Sequence, residues 1–234
     1  MIGLRGSAVS TAAVMLAGFA CLAPKAEAQI LQPATMNYGR AYVGASAGFV
    51  IPNDLHANFG GGLAGSGDFS FKTGAAGTGF IGYHLNDMLA GEGELSVASA
   101  DADKFSGTIN GVSNSVSIDG SLTTVLGFAN VIVTPLGSRA AFSPYIGGGI
   151  GFASIDDTIN TVGGVNVAST GSETDFAANF LVGMDFAVAN RWSVGARYRF
   201  VWINTASSAS SGGINTSIGD LTEHIITATA TFHF

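Results

Sequence analysis

Arg191-Trp192-Ser193-Val194-Gly195-Ala196-Arg197-Tyr198-Arg199-Phe200-Val201-Trp202 alternates without interruption between two kinds of side chain. Trp192, Val194, Ala196, Tyr198, Phe200 and Trp202 fall on one side; Arg191, Ser193, Gly195, Arg197 and Arg199 fall on the other. A β-strand has a side-chain period of two, so one face is apolar with aromatics at both ends and the other is charged. The last stretch of the chain repeats the pattern, with Ile226, Ala228, Ala230, Phe232 and Phe234 against Glu223, Thr227, Thr229, Thr231 and His233. This pair of arms predicts the closing hairpin of a transmembrane β-barrel, with the apolar face against lipid and the ionic face in the lumen. A soluble sandwich would turn the same faces the other way.

Composition points in the same direction. Hydrophobic residues make up 47% of the 234 and charged ones 11%, against about 25% charged in an average soluble domain. No apolar run after residue 28 is long enough for a membrane helix. A chain that is apolar overall but never in long blocks fits alternating strands. Glycine is abundant, 34 residues against 5 prolines, which suits close strand approach around a crowded lumen. The first residues read as a signal peptide, 1–28, with Arg5 in a basic n-region, an apolar stretch over 8–22 and Ala26-Glu27-Ala28 as the cleavage site. The single cysteine, Cys21, lies inside it, so the barrel domain, 29–234, has no thiol. The net charge of −7 argues against nucleic acid as a partner.

Eight strands are expected, at about 40–50, 71–85, 89–98, 117–133, 144–155, 175–188, 191–202 and the terminal arm. Val43, Ala45, Ala47 and Phe49 face outward in the first, Ile81 and Tyr83 in the second, Leu95 and Val97 in the third. Ile146, Ile150 and Phe152 do so in the fifth, and Phe180, Val182, Met184 and Phe186 in the sixth. Inward stand Glu92, Glu94, Asn130, Gly147, Gly149, Gly151, Asn179 and Asp185. Short turns alternate with long segments, 52–70, 99–116, 156–174 and 204–219, rich in Gly, Ser, Asn, Thr and Asp. Brief periplasmic turns and longer extracellular loops are the topology of an outer-membrane barrel, with both chain ends in the periplasm.

Tyr42-Val43-Gly44-Ala45, Pro144-Tyr145-Ile146-Gly147-Gly148-Gly149-Ile150-Gly151-Phe152-Ala153, Arg197-Tyr198-Arg199-Phe200 and Phe232-His233-Phe234 resemble the small outer-membrane β-barrel family. This family comprises the opacity-protein-like and OmpA-type barrel surface antigens of Gram-negative bacteria. The likeness spans the chain beyond the signal segment. It implies an all-β, eight-stranded antiparallel up-and-down barrel in the cell outer membrane. It also implies a terminal Phe234 recognised by the barrel assembly machinery. A peptidoglycan-binding segment after the barrel is not expected, so cell-wall tethering is not implied. Fold-level likeness leaves the task open, because one fold hosts many tasks.

The inward charges Glu92, Glu94, Asp185, Arg197, Arg199 and Glu223 are expected to pair with one another as a structural network. Eight strands leave an interior just wide enough for side chains, and unpaired buried charge is costly. Trp192, Tyr198, Trp202, Phe232 and Phe234 are expected at the membrane interfaces, as girdles and terminal assembly signal.

Metal and cofactor sites are not expected. His56, His84, His224 and His233 are scattered, and no ligand set converges. Asp101-Ala102-Asp103-Lys104 lacks the glycine and the terminal glutamate of a calcium loop. Gly60-Gly61-Gly62 and Gly163-Gly164 do not stand between a strand and a helix start, as phosphate cradles do. A hydrolase would use Glu223 and His224, but sequence neighbours in a strand point to opposite faces.

A carbohydrate-stacking platform needs clustered aromatics, and the long segments offer only Phe59, Phe69 and Phe105, so none is expected. The long segments are acidic, suited to hydrated surface, to cations bridging lipopolysaccharide phosphates, or to a basic partner. The expected function is a non-enzymatic surface protein that supports membrane integrity and displays its loops for adhesion to a host or surface ligand. The alternative is a narrow porin-like conduit for small or apolar solutes, and the third a lipid-modifying barrel enzyme.

Overall fold

The computed structural model describes residues 39–61, 64–162, 165–205, 207–211 and 214–234. The expected signal segment, residues 29–38 and Gly163-Gly164 lie outside the described residues. Twelve strands follow in chain order: β1 (Ala41–Pro52), β2 (Leu55–Gly61), β3 (Gly65–Phe71), β4 (Gly74–His84), β5 (Leu89–Ile109) and β6 (Val112–Val133). Then come β7 (Phe142–Val162), β8 (Val165–Ala189), β9 (Trp192–Ile203), β10 (Ser207–Ser211), β11 (Ile214–Ile218) and β12 (Leu221–His233).

Eight of them close a ring in the order β1-β4-β5-β6-β7-β8-β9-β12, every neighbour antiparallel. First and last strands pair from Tyr42↔His233 to Pro52↔Glu223. The Gly39 amide adds a bond to the Phe234 carbonyl beyond that ladder. Closure leaves no strand edge at this level, so the ring's backbone groups meet in ladders, as lipid demands, with one irregularity at Ala187/Ala189 beside the short turn.

The two-residue period sorts the side chains. Phe49, Ile81, Leu95, Ile150, Phe180, Trp192 and Ile226 are exposed on the outside. Glu92, Glu94, Asn130, Arg197, Arg199 and Thr229 are buried inside.

Beyond the ring, the structure corrects the expectation of four long loops. Segments 52–70, 99–116, 156–174 and 204–219 consist largely of β-structure. β5 and β6 continue to a tight turn at Asn110 (φ 51°) and Gly111 (φ 78°). This is a two-residue turn with both central residues left-handed, which matches strand twist and lets the arms run on as a hairpin. β7 and β8 pair as far as Val162↔Val165. The β2–β3 hairpin joins the upper part of β5, and the β10–β11 hairpin joins β2. The barrel therefore carries a second storey, ordered β10-β11-β2-β3-β5-β6-β7-β8.

The lumen is filled in two layers. Toward the short turns, Tyr42, Phe80, Ala90, Ile132, Tyr145 and Leu181 pack together around the inward charges. Toward the long hairpins lies an apolar layer that includes Val50, Leu126, Val201, Ile203, Leu221 and Ile225, with Leu55, Phe71 and Ile155 packed on it. Glycine makes the lower layer fit. A Cβ on Gly82 would lie 2.0 Å from the Tyr42 ring, and one on Gly183 would lie 2.4 Å from the Tyr145 ring.

Candidate functional site: the charged lumen and the long-hairpin sheet

Glu92 and Glu94 stand two apart on β5 and Arg197 and Arg199 two apart on β9, so each strand presents both charges to the lumen. The ring brings these two strands face to face. Arg197 Nη1 donates to Glu92 Oε1 at 2.8 Å and Nη2 to Glu92 Oε2 at 3.2 Å. This forked pairing is the geometry that favours arginine over lysine. Arg197 Nη1 also reaches Glu94 Oε2 at 3.4 Å, and Arg199 pairs with Glu94. Two carboxylates face two guanidinium groups, each residue 2–5% exposed.

Neutral groups meet several of the remaining valences, whereas Arg199 Nε has no hydrogen-bond partner among the described residues. Tyr42 Oη donates to Glu92 Oε2 at 3.1 Å, Arg197 Nε donates to Tyr145 Oη at 3.0 Å, and Asn130 Nδ2 donates to Glu94 Oε2 at 3.3 Å. Asn179 Nδ2 in turn donates to Asn130 Oδ1 at 2.9 Å. The Arg197 guanidinium also lies 4.6 Å from the Phe80 ring centroid. A buried ion pair needs such satisfaction to offset its desolvation.

Two of the six inward charges stand apart from these pairs. Asp185 accepts from Thr229 Oγ1 at 3.3 Å. Glu223, 1% exposed, accepts from Thr124 Oγ1 at 3.1 Å among the apolar residues of the upper layer. The tyrosines that complete the cluster were not singled out from sequence, although parity carried them. With Val43 and Ile146 outward, Tyr42 and Tyr145 had to face in.

Below the cluster, at the short-turn end, a vestibule of about 40 Å³ is lined by Tyr42, His84, Glu92, Tyr145, Arg197 and His233, among others. That is room for about three waters. Ser193 Oγ lies 3.0 Å from His233 Nε2 there.

On the outside, Trp192 and Phe232 sit 5.1 Å apart and Phe232 and Phe234 5.3 Å apart, centroid to centroid, at the short-turn rim. At the other rim Trp202 donates to Asp220 at 3.0 Å, and Tyr198 Oη lies 2.8 Å from His224 Nδ1. His224 Nε2 lies 3.3 Å from Asn53 Nδ2. Glu223 and His224 do point to opposite faces. Among the described residues no three His, Cys, Asp or Glu side chains converge as a metal site.

In the second storey, Phe59 and Phe69 lie 6.1 and 4.9 Å from Phe105. The three rings the long segments offer therefore come together. The pairings Leu55↔Phe69 and Phe69↔Phe105 put them on adjoining strands of one sheet. The opposite face carries His56, whose Nδ1 lies 2.7 Å from Asp68 Oδ1. That hydrogen bond holds the imidazole above the ordinary histidine range.

A closed ring of eight strands, apolar outside and ionic inside, is a membrane barrel, and the model of the outer membrane protein beta-barrel domain matches residues 11–234. The chain belongs to that family. As a member of this outer-membrane β-barrel family, it resides in the outer membrane and crosses it with strands.

Among solved structures, outer membrane protein OprG from Pseudomonas aeruginosa shares the fold with a TM-score of 0.54 at 13% identity, over 86% of this chain and 99% of that one. Neisserial surface protein A aligns with a TM-score of 0.47 at 18% identity, over 83% and 97%. The outer membrane protease OmpT from Escherichia coli aligns with a TM-score of 0.49 at 9% identity, over 89% and 100%. Comparison with curated proteins gives no match.

Proposed function

We propose that this barrel is a non-enzymatic surface protein. It anchors in the outer membrane, contributes to its integrity, and holds its second storey out as a contact surface for adhesion or a surface ligand. The short turns and both termini face the periplasm, and the long hairpins face outward, following the usual asymmetry of such barrels. Residues 1–28 are removed as a signal peptide, the barrel assembly machinery inserts the chain, and lipopolysaccharide surrounds its outer rim.

One observation carries the reading: the lumen is filled twice over. Glu92, Glu94, Arg197 and Arg199 close one level, and Leu126, Val201 and Ile203, each at 0% exposure, close the next. A sealed anchor with a tall sheet is built for display. Planar-bilayer recording tests it: reconstituted protein is expected to give no steady single-channel current, and a stable unitary conductance would overturn the proposal.

A second reading has an observation of its own. The upper layer is apolar and continues through Leu55, Phe71 and Ile155 toward the aromatic face of the second storey, so any passage through it suits apolar solutes. Facilitated entry of an apolar dye into protein-bearing liposomes, with no ionic current, would favour that conduit. Catalysis on lipid has less support, because both His224 nitrogens are engaged by Tyr198 and Asn53 and Glu223 faces away. Unchanged lipid A mass on overexpression is the expected outcome.

A further inference from the structure

The second storey repeats the cyclic order of the barrel strand for strand: β10 follows β9, β11 precedes β12, β2 follows β1 and β3 precedes β4. Seven neighbouring pairs are laddered. At the eighth, between the upper part of β8 and β10, the described residues form no ladder. The parting has a local cause. β8 and β9 are zipped as far as Ala177↔Ile203, and the Asn204 amide donates to the Phe176 carbonyl at 3.0 Å. Thr205 then turns away. Its amide bonds back to the Ile203 carbonyl at 2.9 Å, and its hydroxyl donates to the Gly219 carbonyl at 2.8 Å. β10 is thereby built onto β11 instead of β8, and a fork opens with a strand edge on either side.

Natural sheets protect such edges with charge, proline or strong twist, because unpaired amides and carbonyls template another strand. Over most of their length these edges lack both charge and proline, Glu173 and Asp175 standing only at the foot of the β8 edge. Residues 165–172 and Ser207–Ser211 contain no charged residue and no proline. The chemistry around the fork is one-sided: Asp156, Glu173 and Asp220 are exposed and Asp175 is half-buried. Asp175 Oδ2 has no hydrogen-bond partner among the described residues. Lys72, by contrast, is engaged with Asp103 at 3.9 Å on β5.

We infer that the fork receives an extended, lysine- or arginine-bearing segment of a partner protein, which adds as a strand between β8 and β10 and sets a cation against Asp175. Main-chain hydrogen bonds supply affinity in this mode and side chains supply selectivity. A second copy of this chain is the wrong occupant, because it would bring the same acidic rim against itself. The inference deepens the display reading and rests on it.

The test uses the full-length protein in detergent micelles. The probe is a short labelled peptide of alternating threonine and valine with lysine at both ends. Its controls are the same peptide with glutamate ends and one with N-methylated backbone amides. Fluorescence anisotropy should show saturable binding of the lysine peptide alone. Amide exchange over 165–176 and Ser207–Ser211 should slow by about tenfold on binding.

Ala209→Pro and, independently on the facing edge, Val167→Pro should each weaken binding about tenfold while the barrel's unfolding midpoint stays put. Asp175→Asn should weaken it while leaving edge exchange in the free protein unchanged. Binding of the N-methylated peptide, no saturable binding, or indifference to both proline variants overturns the inference. Edge protection that appears with self-association in a sedimentation run, without peptide, also overturns it. A silent bilayer with no peptide binding leaves display standing and removes only the strand-addition partner. A unitary current removes display itself.

Discussion

At the scale of single residues, the lumen depends on stoichiometry. Arg197 satisfies both oxygens of Glu92, shares Glu94 with Arg199 and bonds the Tyr145 hydroxyl. Arg197→Ala should therefore strand a buried carboxylate and destabilise the barrel by about 3–5 kcal/mol. Urea unfolding in detergent checks this, and an unchanged midpoint would show the pair to be worth little. Arg197→Lys keeps the charge but loses the fork, so its midpoint should fall between the two.

His56 gives a pH-dependent counterpart on the outer surface. Its folded pKa is raised by the hydrogen bond to Asp68. Its contribution is therefore fully present below the unfolded histidine value of about 6.5 and is lost as pH rises through the higher folded value. NMR titration should place the His56 midpoint above 6.5, and Asp68→Asn should return it to the ordinary value. Both side chains are about half-exposed, so the effect belongs to the β2–β3 hairpin and not to the barrel.

At the scale of elements, parity was legible and length was not. The lipid-facing strands announce themselves by contrast between faces: Ile81 and Tyr83 against Gly82, Leu95 and Val97 against Glu94. In the second storey both faces are rich in Ser, Thr and Gly, so hydrophobic alternation fades and the segments read as loops. What holds them is cross-strand polar pairing, such as Ser106 with Ser115 at 3.0 Å and Thr108 with Ser113 at 3.1 Å, together with the Phe59, Phe69 and Phe105 rings. One signal was available, since Asn110-Gly111 is a strong hairpin dipeptide. Without a high-contrast face, its flanks did not look like strands.

The consequence is testable on β7 and β8. Deleting 159–169 leaves Asp157 and Gly171 as a laddered pair with Thr158 and Thr170 as a two-residue turn. The barrel should still fold, with its heat-modifiable migration on gels intact. The upper parts of β6 and β5 should become more accessible to protease, because β6 loses its β7 neighbour there. Unaltered protease resistance would mean the second storey is not held by its ladders.

At the scale of the molecule, two independent layers seal one lumen. Leu126→Ala should cost about 2–5 kcal/mol through the cavity it leaves, yet neither it nor Arg197→Ala alone should produce a conducting path. Only the double variant, opening both levels, is expected to pass current in a planar bilayer. Current through either single variant would show the layers to be one.

The linear sequence determined the number of membrane strands and, except in the fourth, which side chains face lipid, because a period of two is a local property of extended backbone. In the fourth, parity was ambiguous and only the structure fixed Asn130 inward. It also determined that charges would be buried, since Glu92, Glu94, Arg197 and Arg199 share the parity of the lumen. Only the tertiary structure decided which carboxylate meets which guanidinium, why Glu223 stands among aliphatic residues, and that four hairpins dock into a second sheet. Contacts across a lumen depend on strand tilt and stagger around the closed ring, and docking between hairpins depends on edges far apart in the chain. Neither leaves a periodic trace along it.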